Sequence, residues 1–263
     1  MTDLIHTLRT ALPNPILKSP VAGVDISLWE PDFAITWSKM PEAIKFVIIK
    51  ATELDWEDPE VAKHCLRLAL LSYLRSLYHF LHEDDILKQA KKFIEVAKKV
   101  GAIINNQWRF EIPPVLDVEV KALVRGVHFQ DQVLTWLNLV EDACGVRPII
   151  YTSQNFWNNY VCSLINNKIV PPTWTSNYKL WVAQYPYYFW VNSANNPGKL
   201  PAGWTDYIAW QYYDAYKFDA IKYNGCDVNV MKPEYFEGLS TSTTSRLAAY
   251  FDKPVYYKET QNA

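Results

Sequence analysis

Short apolar segments alternate with amphipathic segments through the first two thirds of the chain. The apolar segments have the length and aliphatic, β-branched composition of buried strands, and the amphipathic segments carry apolar residues three and four positions apart, as on one helix face. Strands are predicted at 21–27, 45–52, 77–81, 113–120 and 148–152, and helices at 59–73, 85–100, 128–143 and 155–164. Repeated strand–helix units predict a parallel sheet with right-handed crossovers.

The alternation changes in the last third of the chain. Strand-like segments at 180–185, 207–212 and 226–230 are joined by irregular segments rich in Pro, Gly and Asn. Eight strands fit closure, so we expect an α/β fold, an incomplete (β/α)8 TIM-like barrel whose helices are missing in the last third. The barrel would span residues 21–239, after a leader at 1–20 and before a Ser/Thr-rich linker and short tail at 240–263.

One predicted strand carries charge where burial is expected. In 113–120, Asp117 and Glu119 alternate with aliphatic residues, so the two acids share one face with Cα atoms about 6.6 Å apart. Neighbouring carboxylates in an apolar strand push one pKa up, which prepares an acid and a base near neutral pH. An edge strand with a solvated acidic face has the same spacing, so the spacing leaves both interpretations open.

Two more acids lie in predicted strands. Asp25 lies in the first strand and Asp227 in the eighth, and these strands are neighbours if the barrel closes. Since strand ends converge on one mouth of a barrel, we expect these acids to join Asp117 and Glu119 there. Such a cluster fits a divalent metal site or a carboxylate-based hydrolytic site. Asp25 alone is also compatible with a cap on the following turn through Ser27.

Aromatic residues favour the hydrolytic interpretation. The chain has 11 Trp and 17 Tyr, more than its core needs, and such rings suit a wet protein interface or sugar stacking. An aromatic groove suits a sugar better than a hard cation. The aromatic residues at or just beyond predicted strand ends, which we expect to line the groove, are Trp29, Tyr78, Tyr151, Trp181, Tyr185, Trp210 and Tyr212.

Charge and cysteine usage narrow the function further. With 26 basic and 28 acidic residues, the chain has no polybasic field for nucleic acid or an anionic membrane. The four cysteines form no Cys-x-x-Cys pair, so we expect free thiols and neither a zinc site nor a redox motif. We also expect no metal, no cofactor and a monomer. No apolar run approaches the roughly 18 residues of a membrane span, and residues 1–20 lack the apolar core of a signal peptide, so we expect synthesis in the cytoplasm and no membrane insertion.

The order of motifs resembles that of glycoside hydrolase family 25, the Chalaropsis-type lysozymes or N-acetylmuramidases. The resemblance covers about residues 21–238, and motifs in the right order are more specific together than any one alone. The motifs are Gly23–Ser27, Phe46–Glu53, Tyr78–Phe80, Pro114–Glu119, Ile150–Thr152, Leu180–Tyr185, Ala209–Tyr212 and Asp227–Asn229.

This resemblance implies a reaction and a set of residue roles. The reaction is cleavage of the β-1,4 bond between N-acetylmuramic acid and N-acetylglucosamine in bacterial peptidoglycan. By motif, Glu119 is the general acid, and Asp117 stabilises the 2-acetamido group of the substrate or an oxocarbenium-like centre. Asp25 and Asp227 would hold the network and its protonation state. Tyr78 would line the subsite beside the scissile bond.

The chain departs from the family pattern at the rim of the expected groove. Leu28-Trp29-Glu30 follows the first-strand Asp-x-Ser, where small or polar residues are usual, and Leu54 replaces the usual Gly after Thr-Glu. These departures concern the glycan or stem-peptide preference and not the acids. The missing signal peptide indicates a bacteriophage-type endolysin or virion-associated lysin, and an intracellular or non-classically exported protein is equally compatible.

Two other functions are compatible with the sequence. A non-catalytic glycan-binding or structural protein can retain a barrel, because fold does not fix function, but it would not need all four acids. A metal-dependent deacetylase or phosphoesterase needs His ligands beside the acids. Only His79 and His82 lie close to a strand end, and His79 alone is typical of a hydrogen-bonded core histidine.

Overall fold

The computed structural model of the 263-residue chain describes residues 21–120, 126–185, 197–222 and 225–239, so the expected leader, linker and tail lie outside the described residues. The strands, in chain order, are β1 Ala22–Ile26, β2 Ile44–Glu53, β3 Trp56–Glu57, β4 Leu74–Phe80, β5 Ile103–Ile104, β6 Gln107–Trp108, β7 Val115–Asp117, β8 Ile149–Ser153, β9 Ser163–Ile165, β10 Lys168–Val170, β11 Lys179–Ala183, β12 Ala209–Tyr216 and β13 Cys226–Met231. The longer helices are α1 Val61–Leu68, α2 Ile86–Lys99 and α3 Val127–Cys144.

Shorter helical segments complete the described elements. They are the 3-10 turns Asp32–Ala34, Trp37–Lys39 and Thr175–Asn177, the turn Gln154–Phe156 with the π-helix Trp157–Val161, and a helix over residues 233–239. No described helix is both long enough and apolar enough to cross a membrane. All four cysteines are buried free thiols.

Eight strands close into a barrel in the order β1-β13-β12-β11-β8-β7-β4-β2, with β2 pairing back onto β1. These strands correspond to the eight predicted from the apolar segments, so the α/β class and the closure are confirmed. Strand β3 pairs with the end of β2, while β5–β6 and β9–β10 form two separate hairpins. These small strands were not predicted, because two or three residues are too few to carry a periodic pattern.

The regular (β/α)8 description is not confirmed. Strand β13 runs antiparallel to both of its neighbours, β1 and β12, whereas the other barrel pairs are parallel. Residues 217–225, which join β12 to β13, are too few for the crossover of a dozen or more residues that a parallel connection needs. The last strand therefore returns directly, and its amino end, not its carboxyl end, reaches the mouth of the barrel.

The predicted helix at 155–164 was also wrong in its second half. Helical structure stops at Val161, and the β9–β10 hairpin follows. Asn166 and Asn167, at the tip of this hairpin, have φ angles of 50° and 59°. Asparagine tolerates this left-handed region better than most residues, so the Asn-Asn pair forms the turn and ends the helical pattern.

The core has two parts because side chains of each barrel strand alternate between two faces. Outward side chains pack against α1, α2 and α3, and inward side chains fill the barrel below its mouth. Gly23 makes room inside, since a Cβ atom there would lie 2.3 Å from the Phe46 ring. The helix at 233–239 covers the end of the barrel opposite the mouth, where Tyr235, Phe236 and Leu239 pack against the interior cluster.

Candidate active site

A cleft of about 660 Å³ opens at the mouth of the barrel. Its described lining contains seven acids, five aromatic residues and a single cation, Lys50. The acids are Asp25, Glu30, Glu53, Asp117, Glu119, Asp214 and Asp227, and the aromatic residues are Trp29, Tyr78, Phe80, Tyr151 and Trp181. The composition is that of an acidic, aromatic groove.

The cleft brings together the four acids predicted from the sequence. Asp25 near the end of β1 pairs in register with Asp227 near the start of the antiparallel β13. Asp117 is the last residue of β7, and Glu119 lies two residues beyond it. Between them the Val118 amide donates to the Tyr151 carbonyl at 2.9 Å, so the chain continues beside β8 and both acids reach the cleft.

A network of amide side chains holds Asp25. Oδ2 of Asp25 accepts hydrogen bonds from Nδ2 of Asn229 at 2.7 Å and from Nε2 of Gln211 at 3.0 Å. The same Gln211 nitrogen lies 3.3 Å from Oδ2 of Asp227. Nε1 of Trp181 donates to Oδ1 of Asn229 at 2.9 Å, which fixes the orientation of that amide. The two acids on β1 and β13 are therefore bridged through one amide group.

Two tyrosines complete this network. The hydroxyl groups of Tyr151 and Tyr185 donate to Oε1 of Gln211 at 2.7 and 2.6 Å. Because both lone-pair directions of Oε1 are then occupied by donors, the amide nitrogen of Gln211 must face the carboxyl groups of Asp25 and Asp227. The network therefore sets which way each polar group points.

Burial makes several of these carboxyl groups weak acids. Desolvation, followed by the charge of Asp25, raises the pKa of Glu119 to about 7, while Tyr151 and Lys50 act in the opposite direction. Glu119 faces the open cleft and is exposed, yet protein atoms surround its carboxyl group closely enough to desolvate it. Desolvation and the charge of Asp25 also raise the pKa of Asp227 to about 10. Proton donors are thus available at neutral pH.

Asp117 is the most confined member of the cluster. Its pKa is raised well above the usual range by desolvation, then by the charges of Glu119 and Asp25. Its side chain is buried, and Oδ1 has no hydrogen-bond partner among the described residues. A buried oxygen without a donor is costly, so this atom is suited to a donor that a bound molecule supplies.

The predicted aromatic residues divide into three groups. Trp29, which is 65% exposed, lies at the rim, and Tyr78, Tyr151 and Trp181 line the cleft below it. Tyr185 is not part of the lining and reaches the site through its hydrogen bond to Gln211.

The remaining two aromatic residues do not line the cleft, contrary to expectation. Trp210 and Tyr212 are only 1% and 2% exposed and belong to the core between the barrel and its outer layer. The reason is the alternation along β12, where Gln211 points inward and its two neighbours point outward. Nε1 of Trp210 donates to the carbonyl of Gln184 at 2.6 Å, which anchors the ring there.

Several site residues were not predicted. Gln211 and Asn229 share the inward parity of Ala209 and Met231 on the same strands, and this parity is a sequence signal that could have found them. In the sequence, Glu30 stands out only as a departure from the family pattern after the first-strand Asp-x-Ser. Its Oε2 accepts from the Ser27 amide at 3.1 Å, and desolvation raises its pKa to about 7. Lys50 and Asp214 carried no signal beyond their charge.

The histidines near the strand ends serve the structure. His79 is buried, with Nδ1 2.7 Å from Oγ1 of Thr52 and Nε2 3.1 Å from Oε1 of Gln89. Its interpretation as a hydrogen-bonded core histidine is therefore confirmed. Among the described residues, no group of three or more His, Cys, Asp or Glu side chains is arranged to hold a metal ion.

Clustered carboxyl groups and aromatic rings at the mouth of a closed barrel are compatible with a site that binds a sugar chain and exchanges protons with it. A match to the family described as Glycosyl hydrolases family 25 covers residues 24–221. The chain therefore belongs to glycosyl hydrolase family 25, which confirms the resemblance and the assignment to the glycoside hydrolases.

The chain is also similar to individual proteins. The chain is 26% identical over 241 residues to the uncharacterized protein YegX of Escherichia coli (strain K12), covering 88% of this chain and 74% of the relative. It shares a fold with the bacterial lysozyme from Streptomyces coelicolor, at a TM-score of 0.62 and 22% identity over 86% of this chain and 99% of the other. The catalytic domain of endolysin ply40 from bacteriophage P40 of Listeria monocytogenes has a similar fold, with a TM-score of 0.58 and 20% identity. The match covers 83% of this chain and 96% of that domain.

Proposed function

We propose that the protein is a peptidoglycan hydrolase, an N-acetylmuramidase that cleaves the β-1,4 bond between N-acetylmuramic acid and N-acetylglucosamine. The observation that carries this proposal is the pair at the end of β7. Glu119 faces the open cleft with a pKa of about 7, and beside it Asp117 is buried with a free oxygen. Family membership and the aromatic lining support a glycan substrate.

Glu119 is the general acid of the proposed reaction. A carboxyl group with a pKa near 7 is protonated in an appreciable fraction of molecules at neutral pH and still releases its proton readily. It donates that proton to the glycosidic oxygen as the bond to the anomeric carbon breaks. A water molecule adds to the anomeric carbon, and the proton that this water gives up returns, directly or through solvent, to Glu119, which is exposed to the cleft.

Asp117 acts on the sugar whose anomeric carbon becomes positively charged. Its unpartnered Oδ1 can accept the N–H of a 2-acetamido group, and its negative charge would stabilise an oxocarbenium-like centre. In the empty cleft, burial and Glu119 favour the protonated form of Asp117. A substrate donor favours the ionised form, so binding of the correct sugar shifts the shared proton toward Glu119.

Asp25 and Asp227 lie on the neighbouring wall of the cleft, where their carboxyl groups hold each other in fixed protonation states. The raised pKa of Asp227 leaves it neutral, so it can donate to Asp25 while Gln211 and Asn229 satisfy the other Asp25 contacts. Trp29, Tyr78 and Trp181 would contact the sugar rings.

The first test is clearing of purified peptidoglycan by the wild type beside Glu119→Gln. The variant keeps the shape of the side chain and removes the proton, so we expect a loss of about 100-fold or more in rate with normal folding. A matched control is Glu95→Gln on the exposed face of α2, which should clear at the wild-type rate. Clearing by the Glu119 variant at the wild-type rate would remove Glu119 from the mechanism, and no clearing by the wild type would favour a non-catalytic glycan-binding protein.

A second test identifies the bond. Borohydride reduction of the digest converts each new reducing end to an alcohol, and cleavage after N-acetylmuramic acid should give muramitol. Glucosaminitol would instead identify a glucosaminidase. Free amino groups without new reducing ends would identify an amidase or peptidase, and the roles of Asp117 and Glu119 proposed here would be wrong.

A further inference from the structure

Lys50 is the only cationic residue in the described lining of the cleft, which otherwise contains seven acids. It lies on β2, and its side chain is buried. Lysine is rarely buried unless it is paired, because removing an ammonium group from water is costly. A lysine in this position therefore needs an interaction that compensates the loss of hydration.

Lys50 is held in place on two sides. Its Nζ lies 2.6 Å from Oε2 of Glu53, and it lies over the Phe80 and Trp56 rings at 4.8 and 5.4 Å from their centroids. The carboxylate and the aromatic faces compensate the charge and leave the flexible stem few alternative positions. The ammonium group is thus a fixed charge in the wall of the cleft.

Glu53 is itself anchored from the core. Its Oε1 lies 2.8 Å from Nε2 of His82, and Gln89 on α2 holds His82 by accepting from its amide at 3.1 Å and donating to its carbonyl at 2.9 Å. Desolvation raises the pKa of Glu53, but hydrogen bonds from Lys50 and His82 lower it, and the resulting pKa lies below the usual value. The anchor of Lys50 is therefore ionised and rigidly placed.

The charge of Lys50 acts on both members of the proposed catalytic pair. It opposes the desolvation that raises the pKa of Asp117, and it does the same for Glu119. The other titratable groups facing Asp117 are Asp25 from β1, Glu53 from β2, Tyr78 from β4, Glu119 beyond β7 and Tyr151 from β8. None of these is cationic, and Lys50 is the one cation in the described lining of the cleft, so its charge favours the ionised form of Asp117.

We propose that Lys50 is a positioning residue that acts through charge: fixed by Glu53 in the wall of the cleft, it favours the ionised form of Asp117, so that a bound substrate donor can shift the shared proton to Glu119. This inference rests on the proposed function. It assigns no contact between Lys50 and the reacting atoms. It predicts that Lys50 and Glu53 act on Asp117 in opposite directions, because Glu53 adds a negative charge on the same strand.

The experiment follows Asp117 directly, by carbon-13 NMR titration of its carboxyl group in the wild type, Lys50→Met and Glu53→Gln. Methionine keeps the length of the side chain and its packing on Phe80, and glutamine keeps an acceptor for Lys50. We expect the Asp117 midpoint to rise by about one pH unit in Lys50→Met and to fall in Glu53→Gln. Lys63→Met, which removes an exposed charge on α1, should leave the midpoint unchanged.

The acid limb of the pH profile for glycan hydrolysis should move in the same directions as the Asp117 midpoint. An unchanged midpoint in Lys50→Met, or movement of both variants in one direction, overturns the inference. If Lys50→Met does not fold, Glu53→Gln decides alone, and a midpoint that does not fall overturns it. If the midpoints move as stated while the wild type hydrolyses no glycan, the electrostatic role is supported and the proposed function is the part overturned.

Discussion

Replacing Asp227 by Asn should stabilise the folded protein at neutral pH, although Asp227 belongs to the candidate active site. Desolvation, then the charges of Asp25 and Glu30, raise its pKa to about 10. At pH 7 the carboxyl group is therefore protonated in the folded state and ionised in the unfolded chain, where its pKa is about 4. Because only the folded state holds this proton, stability is lost as the pH rises from about 4 toward 10.

The size of the effect at pH 7 has an upper limit. That pH lies about three units above the unfolded pKa, and each unit corresponds to about 1.4 kcal/mol, so the cost cannot exceed roughly 4 kcal/mol. Asp227 is only partly buried and shares its proton with Asp25, so we expect a gain of about 1–2 kcal/mol. The amide of Asn can donate to Asp25 and accept from Gln211, as the protonated carboxyl group does.

Urea unfolding of the wild type and Asp227→Asn at pH 5, 7 and 8.5 measures this gain. The difference in unfolding free energy should grow with pH. Asp206→Asn is a control whose effect on stability has the opposite sign. Lys232 lowers the pKa of the exposed Asp206 carboxyl group. A lowered pKa gives stability that is present at neutral pH and lost in acid, so this variant should lose stability at neutral pH. An Asp227 variant that follows the wild type at every pH, or is less stable at pH 8.5, would refute the reasoning.

Two further predictions concern ligands. Activity should survive exhaustive treatment with EDTA, because in the described part of the chain no coherent His or Cys ligand set accompanies the acids. Loss of activity that one divalent ion restores would place the acids in a coordination site. Trp29→Ala should raise KM about three- to tenfold, which corresponds to roughly 1 kcal/mol of stacking, with little change in kcat. Phe33→Ala, an equally exposed aromatic residue outside the cleft lining, is its control, and an equal change in both variants would show that Trp29 does not bind the sugar.

The strands were predictable because burial on both faces leaves a continuous apolar segment that few other structures produce. The same reasoning placed Asp117 and Glu119 correctly in one cleft, since parity along a strand depends only on residue spacing. It failed for Trp210 and Tyr212 because nearness to a strand end was given more weight than parity. Gln211, between them, takes the inward position that both were expected to share.

The direction of the last strand could not be obtained from its composition. An apolar strand looks the same in either direction, and only the length of its connection distinguishes them. Asp227 therefore lies at the expected mouth of the barrel, but at the start of an antiparallel strand and not at the end of a parallel one. The placement of Lys50 was equally hidden, because its pairing with Glu53 and the Phe80 ring depends on neighbouring strands meeting at the mouth.

The reversed direction of β13 also determines where the described barrel joins the rest of the chain. Its last residue, Met231, donates from its amide to the carbonyl of Val21 at 3.0 Å, and the helix at 233–239 follows on the face opposite the cleft. A dye, carrier protein or solid support attached at residue 21 or residue 239 would therefore lie on that face. An immobilised form would present its open cleft outward, toward a substrate too large to diffuse.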